Sequence, residues 1–198
     1  MVLGGIAVWD VASLLPRRGD GYPERPLDAI SHLFIHHSGR LGRPGFAGLL
    51  ASTEYVTKKR NFPGCAYHLW APFDDCRDGE GRLVCFRANA RTTRSWHTGG
   101  PLNGFGESLA LQGNTSREPM SPTQIEILEA VLPYELEQLA IGQGLGDGDV
   151  AQLVLSWHSE ASRSGGKDKP ACPGADAVRW LTAYRPASDW LEPSVVSS

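Results

Sequence analysis

Two histidines and a cysteine stand where this chain passes from apolar to polar residues. Phe34-Ile35-His36-His37-Ser38-Gly39 closes one apolar run and Trp157-His158-Ser159-Glu160 closes another, while Lys169-Pro170-Ala171-Cys172-Pro173-Gly174 follows after a polar loop. Imidazole and thiolate are the donors that zinc prefers, and two histidines with one cysteine leave the fourth tetrahedral corner open for water, the arrangement of a hydrolytic centre. Taken singly, a histidine at a strand end is usually a hydrogen-bonded structural residue and a lone cysteine a small buried hydrophobe. Together they say more: Cys172 follows His158 across a loop of Ser, Gly, Lys and Pro that can fold back toward the strand end, and His36 comes from a separate strand. A second chemistry uses the same residues, with Cys172 as nucleophile and His158 as its base, which would make a thiol peptidase.

The elements that must hold these side chains are readable from periodicity. Residues 29–37 form an apolar run of strand length ending in polar residues and Gly39. Residues 46–60 carry Leu49, Leu50, Tyr55 and Val56 at near-helical spacing, with Lys58, Lys59 and Arg60 where cations suit a helix C-terminus. Residues 65–73, 82–87 and 105–111 read as strands, the first two joined across the Asp78-Gly79 turn signal. Ser121-Pro122-Thr123-Gln124 is a helix start with a capping box and Pro at the first helical position, and Pro133 predicts a kink or break farther along. Residues 150–157 form the strand that delivers His158, and residues 174–184 a last helix with Ala177, Val178, Trp180 and Leu181 on one face. Strands interleaved with helices predict an α/β fold: a single domain with a central mixed β-sheet flanked by helices. Residues 1–28 are expected to pack on that domain as an N-terminal extension, 29–185 to form the catalytic domain and 186–198 a loosely held tail.

Bulk properties narrow the functions. A chain of 198 residues, 41% hydrophobic, is the size of one domain with a proper core. A net charge of -3 with scattered Lys and Arg supplies no basic stripe for phosphates, so no nucleic-acid partner is expected. No apolar run approaches the roughly 20 residues that span a bilayer. The opening residues carry Asp10, lack an early positive charge and offer no cleavage site, so synthesis in the cytoplasm without a classical signal peptide is expected. Cys76 and Cys85 flank a turn-like segment and face each other either as thiols or as a bridge; free buried cysteine is the commoner state in a cytosolic chain.

Beyond the three donors, an ordered series of motifs resembles the zinc-dependent N-acetylmuramoyl-L-alanine amidases of type 2, which include many phage endolysins and are related to peptidoglycan recognition proteins. The series is Ile35-His36-His37-Ser38-Gly39, Ala66-Tyr67-His68-Leu69, Ser95-Trp96-His97-Thr98-Gly99, Asn103 with the run from Phe105 to Asn114, and finally His158-Ser159-Glu160 with Cys172-Pro173-Gly174. The likeness covers residues 30–182. It implies Zn2+ held by His36, His158 and Cys172, and hydrolysis of the amide between N-acetylmuramic acid and L-alanine. Tyr67 would orient the attacking water or the developing oxyanion, and Trp96 and His97 would bind substrate by lining the cleft. The family's lysine usually stands two residues before the third ligand, where this chain has Pro170; Lys169 is the nearest lysine and Lys167 the next. Glu107 is a further candidate, ranked below Tyr67. Strand alternation turns adjacent side chains to opposite faces, so His36 rather than His37, and Tyr67 rather than His68, are expected in the cleft. His32 is read as structural.

The resemblance implies peptidoglycan or muropeptides as partners and a monomer acting on the bacterial cell wall, in the host periplasm if it is an endolysin. A cytoplasmic muropeptide-recycling amidase and a non-catalytic peptidoglycan-binding module are the alternatives.

Overall fold

Among the described residues, seven strands build one mixed sheet: β1 (Val2–Leu3), β2 (Ile6–Asp10), β3 (His32–His37), β4 (Leu69–Ala71), β5 (Val84–Arg87), β6 (Gly106–Leu111) and β7 (Val154–Trp157). Four α-helices accompany them, α1 (Gly45–Lys59), α2 (Pro122–Gly142), α3 (His158–Arg163) and α4 (Ala175–Tyr184). The protein is described here from a computed structural model that covers residues 1–39, 42–145, 153–163 and 171–184. The spatial order is β1-β2-β5-β4-β6-β3-β7. β3 pairs in parallel with both β6 and β7, β4 in parallel with β6, β2 in parallel with β5, and the β4/β5 and β1/β2 pairs are antiparallel.

Alternation along the strands divides the interior into two layers. Leu33, Ile35, Leu109, Leu111, Leu83 and Cys85 turn toward α2 and α4, where they meet Ile127, Leu128, Val131, Leu132, Leu139, Ala177 and Leu181. Trp70, Val84, Phe86 and Ala110 turn the other way, onto Leu49 of α1 with Cys65. This two-faced burial, rather than intrinsic propensity, holds short strands in place. His36 pairs with Ala110 and therefore opens onto the α1 face.

The capping box at α2 is present in full: Gln124 N donates to Ser121 Oγ at 3.2 Å and Ser121 N donates to Gln124 Oε1 at 3.2 Å. Pro133 does not break the helix: α2 runs continuously from Pro122 to Gly142. Pro133 and Glu129 both lie on the exposed side, so the carbonyl that proline cannot serve is on the solvent face, while Val131, Leu132, Leu136 and Leu139 on either side of it are clamped in the core. Residues 1–28, expected to pack on the domain as an extension, contribute β1 and β2 to its sheet. The strand expected over 65–73 is confined to Leu69–Ala71, and Cys65 to His68 approach it as irregular chain. Among the described residues no cysteine forms a disulfide, with Cys85 buried in the α2 layer and Cys76 half-buried. The 186–198 tail lies outside the described residues. No described helix is long and apolar enough to cross a membrane.

Candidate metal centre

Parallel pairing brings the two histidines together. In the β3/β7 ladder Ile35 stands opposite Trp157, so the next residues along, His36 and His158, project side by side from neighbouring strand ends. Their rings lie 4.7 Å apart between centroids, and Nδ1 faces Nδ1 at 3.0 Å. Cys172 completes the group, its Sγ 3.8 Å from His36 Nδ1, and one donor atom from each of the three residues lies within 4.8 Å of the others. All three residues are buried.

Tetrahedral zinc, with Zn–N near 2.0–2.1 Å and Zn–S near 2.3 Å, places two nitrogen donors about 3.3 Å apart and nitrogen and sulfur about 3.6 Å apart. The observed 3.0 and 3.8 Å bracket those separations. The donor set therefore fits zinc in element type and in spacing.

Several contacts fix the donors. His97 Nε2 lies 2.9 Å from the carbonyl oxygen of Gly106, and His97 Nδ1 lies 3.2 Å from His36 Nε2. The backbone N–H of His37 donates to Cys172 Sγ at 3.4 Å, a contact that favours thiolate over thiol. Ser159 N donates to the Cys172 carbonyl at 2.8 Å, tying the cysteine loop to the start of α3. Burial, reinforced by the neighbouring imidazoles of His158 and His97, pushes His36 well below its ordinary value. Burial likewise pushes His97 down to about 3. Both rings are therefore neutral at neutral pH, the form in which an imidazole can bind a metal.

Tyr67 stands just before β4 with its ring 5.4 Å from that of His36. Burial, with Cys172 and Cys65 near by, holds its phenol above the ordinary range, so the hydroxyl keeps its proton. Of each adjacent pair, the expected member faces the donors. His37 turns away, its Nδ1 3.3 Å from Thr115 Oγ1. His68 is buried with Nε2 2.8 Å from Thr93 O and Nδ1 3.0 Å from Ser108 Oγ.

Trp96 and His97 part company. Trp96 is 42% exposed and meets Tyr22 and Phe62 edge-on, whereas His97 is 5% exposed and sits beneath His36. Glu107 pairs with Leu33 in the β3/β6 ladder and so lies on the sheet face opposite His36. There it joins Arg87 at 3.1 Å and Arg91 at 3.4 Å, and the same two guanidinium groups hold Glu135 of α2. That carboxylate is occupied by the core and does not reach the cleft. Lys169 and Lys167 lie outside the described residues. The contact of His37 N with the sulfur and the inward turn of His97 had no signal in the sequence, because both depend on how distant loops fold over β3.

No family model and no curated protein matches the sequence. Solved structures do match the fold. The endolysin N-acetylmuramoyl-L-alanine amidase LysCS from Clostridium intestinale superposes with a TM-score of 0.59 at 16% identity, over 90% of this chain and 94% of that one. The Ph2119 endolysin from a Thermus scotoductus bacteriophage gives 0.60 at 16% identity over 89% and 97%. The human peptidoglycan recognition protein PGRP-IβC, solved with a glycosamyl muramyl pentapeptide, gives 0.63 at 13% identity over 91% and 96%. The chain thus has the fold of the type 2 amidases and peptidoglycan recognition proteins.

Proposed function

We propose that this protein is a zinc-dependent peptidoglycan hydrolase, an N-acetylmuramoyl-L-alanine amidase that cuts between the lactyl group of N-acetylmuramic acid and L-alanine of the stem peptide. The observation that carries the reading is the convergence of His36 Nδ1, His158 Nδ1 and Cys172 Sγ beside the Tyr67 ring, within a fold shared with endolysin amidases. The presence of the cysteine donor together with the tyrosine favours turnover over mere binding.

Zinc would supply Lewis acidity, polarising the amide carbonyl and acidifying water. The chain supplies the rest. Neutral His36 offers its Nδ1 lone pair, with His158 and Cys172 completing the donor set. The Tyr67 hydroxyl donates a hydrogen bond to the carbonyl oxygen as negative charge grows on it. The resemblance assigns a lysine to the same oxygen, with Lys169 the first candidate and Lys167 the second. Trp96, exposed at the surface with Tyr22 and Phe62 behind it, offers an aromatic face to sugar or stem peptide. The protein acts as a monomer, as a phage or prophage endolysin that lyses its host from the periplasmic side. A cytoplasmic muropeptide-recycling role uses the same chemistry.

Incubation of the zinc-loaded protein with purified muropeptides tests the proposal by mass spectrometry. A free L-alanine amine beside an intact glycan is the expected product, and new reducing sugar ends would overturn the assignment. Chelation separates the metal mechanism from a thiol peptidase: activity lost to a strong chelator must return with zinc.

A further inference from the structure

The Gly106 carbonyl receives two groups. Arg25 Nη2 donates to it at 2.8 Å, and His97 Nε2 lies 2.9 Å from it. A carbonyl oxygen can only accept, so His97 Nε2 carries the hydrogen at that contact. The contacts of His97 among the described residues are a carbonyl, two imidazoles and the Phe34 ring, with no carboxylate to hold a second hydrogen on the ring, so its Nδ1 is a bare acceptor. That nitrogen faces His36 Nε2 at 3.2 Å, the two rings meeting edge to face with centroids 5.2 Å apart. His36 must accordingly hold its own hydrogen on Nε2, which leaves Nδ1 bare and turned toward His158 and Cys172.

We propose that His97 is a positioning residue that sets the tautomer of His36, through a one-way relay from His36 Nε2–H to His97 Nδ1 and from His97 Nε2–H to the Gly106 carbonyl. The inference deepens the metal reading and rests on it. The relay has a built seat. A Cβ on Gly106 would run into the Phe34 ring and come 3.0 Å from His97 Cε1, so the bare glycine is what lets the His97 ring lie against β6. Phe34, tilted against His97 at 5.6 Å, closes the other side. A His36 freed from this partner divides its population between two tautomers, and only one presents Nδ1 to the other donors. Losing an orienting partner of this kind typically weakens metal binding about 10–100-fold.

The test measures zinc affinity by competition with a chromophoric chelator, alongside melting of the metal-free proteins. His97→Leu fills the space without an acceptor and is expected to bind zinc about 10–100-fold more weakly than wild type. His97→Asn, whose Oδ1 falls near the lost Nδ1, is expected to recover most of that affinity, while Arg25 still satisfies the Gly106 carbonyl. Equal losses in both variants, or affinity unchanged in His97→Leu, would overturn the relay while leaving the zinc reading intact. Wild type that takes up no zinc would overturn both. Should His97→Leu fail to fold, nitrogen-15 imidazole spectra of wild type decide the matter: His97 must show hydrogen on Nε2, and hydrogen on Nδ1 sinks the proposal.

Discussion

Gly174 packs its bare Cα directly against the carbonyl of Thr115. An added Cβ would fall on that carbonyl and on Ser116 N, and the residue holds φ at +102°, a conformation that L side chains rarely adopt. This contact seats the loop that carries Cys172. Gly174→Ala is therefore expected to cost about 1–3 kcal/mol through overpacking alone. Thermal melting should fall by several degrees, and zinc affinity should fall with it as the sulfur is pushed from His36. An alanine variant that melts and binds zinc like wild type would show that the loop is not held there.

The three donors and Tyr67 should separate in their effects. Cys172→Ser and His158→Ala are expected to lose zinc and activity together while keeping the far-UV spectrum of the sheet and helices. Tyr67→Phe should keep zinc affinity yet lose about 100–1,000-fold in kcat, the usual consequence of removing one donor to a developing oxyanion. Isothermal titration with zinc and steady-state assays on the same preparations make the distinction. If Tyr67→Phe loses metal instead, the phenol supports the centre rather than the reaction.

Glu107 offers the converse case. Its carboxylate is fully buried among Arg87, Arg91 and Glu135, on the sheet face away from His36. Glu107→Ala leaves buried guanidinium groups short of a partner, at a cost of about 3–5 kcal/mol. Urea denaturation should reveal that loss, while zinc affinity measured well below the melting temperature stays within a few-fold of wild type. A selective loss of activity without loss of stability would return Glu107 to the reaction.

Acid should destabilise the metal-free protein from about pH 6.5 downward. Burial holds His36 and His68 well below the ordinary imidazole value and His97 at about 3, so the unfolded chain takes up protons that the folded one refuses. Stability from these groups is complete above pH about 6.5 and drains away as pH falls toward the folded values. Glu107 works in the opposite sense, since burial raises its carboxyl to about 7 and the folded state binds its proton first. Burial lowers His32 and His37 as well, so the histidines outnumber the one opposing carboxyl and the net effect of acid is destabilising. Urea melts in chelator at pH 7.5 and 5.5 should differ accordingly; equal midpoints would contradict the burial of these rings.

His36 and His158 stand out in the sequence because each ends an apolar run, Cys172 because it follows a loop able to fold back, and alternation turns His36 rather than His37 toward the other two. The capping box of α2 was legible for the same reason: its signal is local. What escaped is non-local. β2 shows three buried residues followed by two exposed ones, without the alternation that marks a strand, so its place beside β5 is set by partners far along the chain. Pro133 looked like a break because its effect depends on which side of α2 meets water. The inward turn of His97 depends on a glycine in another strand.

β7 forms the outer edge of the sheet, and its pairing is what keeps the apolar run Leu33-Phe34-Ile35 from being an edge itself. A polypeptide terminated before Val154 would retain six strands yet bare that run with unpaired amide and carbonyl groups, a template for joining another chain. Nonsense or nicked forms of this protein should accordingly accumulate as insoluble aggregates rather than as inert soluble monomers. The strand that ends at His158 is also the one that covers the open side of β3.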